Sequence, residues 1–212
     1  MRRSVAFLSL FFTLITLGCL IVSIIFPWYR VKETTILAPN KYRETLYYWD
    51  EYRITNENYT ITDFLKEDGK KYDDIGYDHV KNVFIVSLTF ICVATLLSAI
   101  SVVLVFISFV ARSRVFGIIS GILMLLVFTL SMVSFFQFLR LNRAFRDDDT
   151  FCQVEKGGFD LSDTYCHKFM GTSDGDLYKL NFQPYVGFWL SVGAAFFSIF
   201  VFVPLFATSR SS

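Results

Sequence analysis

Four stretches of this 212-residue chain contain no Asp, Glu, Lys, Arg or His: Ser4–Tyr29, Asn82–Ala111, Val115–Leu139 and Leu180–Ser209. Each exceeds the about 20 residues that a helix needs to cross the hydrocarbon core of a bilayer. A soluble fold would have to bury four such helices at once, which a chain of this length has too little polar sequence to do. The expected class is therefore an all-α membrane four-helix bundle. Its spans are placed at 5–28, 82–110, 115–139 and 183–207, joined by a first outer loop, 29–81, and a second, 140–182. The whole chain, 1–212, reads as one tetraspan domain.

The start, "MRRS", resembles the charged end of a signal peptide. The apolar run after it outlasts the roughly 7–15 residues of a signal core, and no small-x-small cleavage site follows. It is expected to remain as the first helix. With four spans, both termini fall on one side. That side holds Met1–Arg3, the link Arg112–Arg114 and Arg210, with five arginines and no acid. All 19 acids lie in the two long loops, together with 15 Lys and Arg. Orientation follows the basic residues of short segments beside the helix ends, so both termini are expected in the cytosol, most naturally at the plasma membrane. Two features agree. Asn58 opens the sequon "NYT", which is glycosylated only on the lumenal side. Cys152 and Cys166 are the only cysteines outside the helices and share one loop, which suits a disulfide formed in an oxidising compartment. Closing that ring would stabilise the loop by about 3 kcal/mol in the chain-entropy model. Two free thiols at a redox site would need a closer spacing, such as CxxC.

The first outer loop is too long to be structureless in a compact protein. "VKETTIL" is β-rich and ends at the turn signal "APNK". "ETLYYWDEYRIT" reads as a second strand, with Leu46, Tyr48, Tyr52 and Ile54 on one face, Tyr47, Trp49, Glu51 and Arg53 on the other, and Asp50 a misfit. "NEN" is a turn and "YTITDF" a third strand. A small extracellular antiparallel β-sheet resting on helix ends is the expectation, with the second loop forming a stapled lobe packed on it.

No predicted helix carries an ionisable side chain, so the residues that would mark a proton relay or coupled-ion path are missing from the spans. Small residues recur instead: Gly117 and Gly121 in the third span, Gly187, Ser191 and Ala195 in the fourth, Ala94 and Ser98 in the second. That spacing lets helices approach closely in lipid, either within the bundle or at a homodimer seam. Trp28, Tyr29, Tyr185 and Trp189 are placed at the outer boundary, where aromatic rings prefer to sit. His79 and His167 lie in different loops. Asp147–Asp149 and "DGD" at Asp174–Asp176 could bind calcium weakly but read more simply as solvated acidic loop. No motif of an enzyme is found, and no catalytic, cofactor or metal site is expected. The bilayer is the one implied partner, with a homo-oligomer or another membrane protein beside it and no nucleic acid.

Four spans, cytosolic termini, a longer first outer loop with strands and a shorter second one resemble the claudin-like superfamily. That group includes claudins, peripheral myelin proteins, receptor and channel auxiliary subunits and fungal relatives. Trp28 and Trp49, with 20 residues between them, are similar to the family's paired tryptophans, and Lys81 to its basic residue before helix two. "GIISGIL" and "PYVGFWL" are similar to its patterns in helices three and four. "YYW" replaces Gly-Leu-Trp, and Tyr52 stands where the first of two loop cysteines is expected. The resemblance implies a role in membrane organisation or cell–cell adhesion through the extracellular loops. Two alternatives stay open: an auxiliary subunit of a channel or receptor, and a paracellular or transmembrane ion pore.

Overall fold

The computed structural model describes residues 3–36, 42–56, 69–111, 113–149, 152 and 161–210. It contains four long apolar helices: α1 (Arg3–Ile25), α2 (Asp78–Ala111), α3 (Arg114–Phe138) and, after a short α4 (Leu141–Asp148), α5 (Val186–Arg210). Each of the four is long and apolar enough to cross a membrane. The chain is a multi-pass membrane protein on that ground. Three boundaries differ from expectation. α1 stops at Ile25 because Pro27 has no N–H to donate and disfavours helical geometry at Phe26. α2 starts at Asp78, so its first turn includes charged residues, Lys81 among them. α5 starts at Val186 because residues 178–184 are spent on a strand.

Where a single domain is expected, the chain divides into two compact units. A helical unit comprises Met1–Ile25, Ser87–Phe135 and Trp189–Ser212; a sheet unit comprises Phe26–Val86 and Phe136–Phe188. The division has a physical cause: strands with period-two burial bring a core of their own.

In the helical unit the small residues face inward. Gly117, Gly121, Ser191, Ala195, Ala94 and Ser98 are all buried. A Cβ on Gly121 would meet Leu205 Cβ at 3.4 Å, so this glycine sets the approach of α3 to α5. Ser101 and Ser120 share a hydrogen bond of 2.5 Å between α2 and α3, and Ser134 donates to the Ser87 carbonyl at 3.0 Å. Thr13 and Thr16 donate back to the carbonyls of Ser9 and Phe12, one turn earlier. Phe12 stacks on Phe197 and Phe200, joining α1 to α5.

Among its described residues the sheet unit holds six strands: β1 (Tyr29–Thr35), β2 (Tyr42–Tyr47), β3 (Glu51–Asn56), β4 (Lys70–Lys71), β5 (Gly171–Asp174) and β6 (Tyr178–Pro184). Their order is β4-β3-β2-β1-β6-β5, and every neighbouring pair is antiparallel. Two expectations are corrected. "ETLYYWDEYRIT" is a hairpin rather than one strand. Trp49 and Asp50 form its tip, the Tyr48 N–H donates to the Glu51 carbonyl, and Tyr47 lies opposite Tyr52. The misfit Asp50 marks the turn, a position where Asp is favoured. Reversal resets the alternation, so Tyr47 joins Tyr52 and Ile54 on one face, and Leu46, Tyr48, Glu51 and Arg53 take the other. The second correction concerns the second loop. It supplies β5 and β6 to the same sheet, and β6 pairs with β1 along the whole of Tyr29–Thr35. In β6 Leu180, Phe182 and Pro184 are buried while Lys179, Asn181 and Gln183 are not. The proposed "APNK" turn, the third strand "YTITDF" and Asn58 lie outside the described residues.

Alternation makes the two sheet faces chemically different. One carries Tyr29, Val31, Tyr47, Leu180 and Phe182, all buried. The other carries charge laid over rings: Arg30 over Tyr185, Lys32 over Tyr42 and Arg53 over Tyr48, each within 5.0 Å of the ring centroid.

Candidate functional site

The two tryptophans meet inside the sheet unit. Trp28 and Trp49 have ring centroids 4.2 Å apart, and both are buried. Trp49 reaches this position because it sits on the β2–β3 turn, free of strand pleating. Backbone bonds fix Trp28: its N–H donates to the Tyr47 carbonyl, and its carbonyl accepts from Tyr185 N–H. Phe138 packs edge-on against Trp28 and against Phe84, which in turn meets Trp49. Such edge and tilted ring pairs contribute about 0.5–1.5 kcal/mol each beyond area burial. The boundary-belt expectation therefore fails for Trp28 and Tyr29, which are core side chains, while Trp189 is 53% exposed as a belt residue would be. Gly187 is also reassigned. A Cβ there would lie 2.4 Å from Trp28 Cδ1 and 2.6 Å from the Phe26 carbonyl oxygen. This glycine makes room for an indole and for backbone.

The acidic run at the end of α4 is not simply a solvated loop. Asp148 is 4% exposed at its side chain; it pairs with His79 Nδ1 at 2.6 Å and accepts from Val80 N–H at 2.7 Å. A carboxylate there satisfies an orphan donor of the first turn of α2 and complements the helix dipole. Asp149 is also buried, and its Oδ2 accepts from the Tyr165 hydroxyl at 2.7 Å. Tyr77 also hydrogen-bonds to Asp149. Only Asp147 of the three is well exposed. Burial, with the Asp149 charge adding to it, pushes the Tyr77 phenol well above its ordinary range. Tyr165 is pushed the same way, by burial first and then by Tyr47 and Asp149. Both stay neutral and able to donate at any physiological pH.

The expected disulfide is formed: Cys152 and Cys166 are bonded, with Cα atoms 5.6 Å apart. Its ends are tied to the same network. Cys152 N–H donates to the Asp149 carbonyl, and Cys166 follows Tyr165 in the chain. The staple thus holds Asp149 and Tyr165 on one wall.

That wall bounds a cavity of about 270 Å³ over the buried face of the sheet. Four tyrosines line it: Tyr47 and Tyr52 from the hairpin, Tyr77 from before α2, and Tyr165. Among the described residues its charged lining is Glu33, Arg43 and Asp149. Glu33 and Arg43 face one another across β1 and β2.

Of the residues singled out from sequence, the structure brings Trp28, Trp49 and Gly187 together, and Cys152 with Cys166. Gly117, Gly121, Ser191 and Ala195 belong to helix packing. Lys81 lies inside α2 and pairs with both oxygens of Asp73, at 2.5 and 2.6 Å. Sequence reading missed Phe138, Tyr77 and Tyr165, and took Asp148 and Asp149 for solvated acidic loop. Phe138 ends an apolar run and carries no local mark, whereas the "RDDD" run was visible but had no partner assigned to it. No family model matches this chain, and no curated protein matches it in sequence.

Proposed function

We propose that this protein organises membranes or joins cells through contacts made by its sheet unit, and that it is a divergent claudin-like tetraspan. The observation that carries the reading is an apolar tip on a sheet that is otherwise charged on its open face. Ile36 N–H donates to the Leu177 carbonyl, tying the end of β1 to the β5–β6 turn. Around that bond Ile36 is 49%, Leu177 51% and Tyr178 37% exposed. The tip lies at the opposite end of the β1–β6 ladder from Tyr29 and Pro184, about 20 Å away at roughly 3.3 Å per residue. Clustered exposed apolar and aromatic side chains are typical of contact surfaces. The claudin-like part is supported by the Trp28–Trp49 contact and by the strands of the first outer loop. Cytosolic termini remain part of the proposal, resting on the five arginines, and a plasma-membrane site follows from the proposed contact role.

Cells expressing the full chain should aggregate more than mock-transfected cells. The double variant Ile36→Ser/Leu177→Ser should lose that gain while reaching the surface at unchanged density. Aggregation that persists in the variant removes the tip from the proposal. Stoichiometric co-purification with a channel or receptor would move the reading to an auxiliary subunit.

A further inference from the structure

We propose that the tyrosine-lined cavity of the sheet unit is a binding site for a small organic ammonium ion. The reasoning starts from its walls. The cavity has a volume of about 270 Å³. That is just below the about 300 Å³ where pockets for drug-sized ligands begin, and suits a ligand of a few carbons. Four phenol rings line it, and an aromatic ring attracts a cation placed over its face. Charge sets the sign of the ligand. Glu33 and Arg43 lie directly opposite across β1 and β2, so their charges offset. Among the described lining residues Asp149 then leaves a net charge of about −1.

Geometry favours an organic cation over a bare metal ion. Tyr77 and Tyr165 both donate to the Asp149 carboxylate and hold it in place. The Asp149 carboxylate lines the cavity, and its negative charge there attracts an ammonium, methylated or not. Hard metal ions need several oxygen ligands around one point, and among the described residues no group of three or more His, Cys, Asp or Glu side chains is placed to hold one. The Cys152–Cys166 staple fixes Asp149 and Tyr165 before any ligand arrives, which lowers the ordering cost of binding. The ammonium could come from a free amine or from a methylated lysine side chain of another protein, and the two share this chemistry.

The test uses the full-length protein in detergent micelles, titrated by calorimetry. The probes are tetramethylammonium chloride and a short neutral peptide with one trimethyl-lysine, with sodium acetate as control. Saturable binding of either ammonium probe, and none of acetate, is expected. Tighter binding of the free ion would identify a small metabolite as the source, and tighter binding of the peptide a protein side chain. Asp149→Asn should weaken binding at least about tenfold, as removal of a buried charge partner does. Tyr52→Leu and Glu33→Gln, which leave the Asp149 network intact, should each weaken it about threefold and keep the test decisive if Asp149→Asn does not fold. The proposal is overturned if neither ammonium probe binds, if acetate binds as well, or if the folded variants bind as tightly as the parent.

Discussion

The two units of this protein are built inside out with respect to each other. In the helical unit serines and small residues, including Ser98, Ser101, Ser120 and Ser131, share the buried positions with a few larger side chains such as Leu20, Ile91 and Met124, while many large apolar side chains point outward. Phe7 is 64%, Leu96 62% and Val110 66% exposed. In the sheet unit the largest rings are inside: Trp28, Tyr29, Trp49, Tyr72, Phe145 and Phe182. Solvent explains the inversion. Lipid gives no hydrophobic reward for hiding a phenylalanine, so helices associate through close approach and small residues. Water does reward it, so the sheet unit collapses around rings. Several buried serines confirm that size is what the helices select: among the described residues the hydroxyls of Ser9, Ser87, Ser98 and Ser131 have no hydrogen-bond partner.

This contrast can be broken most sharply at Trp49. Trp49→Ala should cost about 3–5 kcal/mol, the range for large aromatic-to-alanine changes in a water-facing core. Cys152→Ser should cost about 3 kcal/mol or less, because it only restores loop entropy. Thermal unfolding in micelles, followed by near-ultraviolet circular dichroism, would rank the two; the reverse order would mean that the staple, rather than the rings, holds the sheet unit together.

Glycines give the next largest effect. Gly187→Ala forces a methyl into Trp28 and the Phe26 carbonyl and should cost about 1–3 kcal/mol as overpacking. Gly193→Ala in the helical unit meets nothing within 4 Å and should change stability by less than about 0.5 kcal/mol. Equal effects at both sites would return Gly187 to the helix-packing role that its spacing suggests.

Tyrosine ionisation separates the units again. Tyr77 and Tyr165 are held neutral in the folded state, with folded pKa values above the unfolded value of about 10. Their contribution to stability is complete below about pH 10 and is lost as the pH rises from there through the folded values. Tyr165→Phe should cost about 1.5–3 kcal/mol at neutral pH, through the lost bond to Asp149, and should flatten the alkaline loss. An unchanged alkaline slope would show that this phenol is not part of the linkage.

The smallest effect belongs to the helices. Ser120→Ala removes the bond to Ser101 and should cost about 0.6 kcal/mol, the mean for interhelical hydrogen bonds in membranes. A loss of several kcal/mol would mean that polar bonds, and not small volume, hold α2 to α3.

The helices were legible because a bilayer leaves a long one-dimensional signature. Charge alone located all four, and the errors were confined to ends such as Phe26 and Gln183, where proline or strand pairing intervenes. The hairpin was half legible. Asp50 broke the alternation, yet counting on through it put Tyr47 and Tyr52 on opposite faces. β6 was hidden by its own composition, since "LNFQP" contains no charge and extended the apolar run of the fourth span backwards. The cavity was least legible, because Tyr77, Asp149 and Tyr165 come from separate segments joined by the Asp148 contacts and the disulfide, and its floor at Val31 and Leu180 needs the pairing of β1 with β6.

That pairing, which makes one sheet of two loops, is the central claim and can be tested in intact cells. Lys32 and Asn181 are register partners on the open face of the sheet. Antiparallel partners have Cα atoms about 4.5–5.5 Å apart, within the range a disulfide spans. Lys32→Cys/Asn181→Cys should cross-link under mild oxidation, with the linked peptide recovered by mass spectrometry. Lys32→Cys/Lys179→Cys, two residues out of register, should cross-link far less. Equal cross-linking of the two pairs, or none in either, would contradict a sheet shared by both loops.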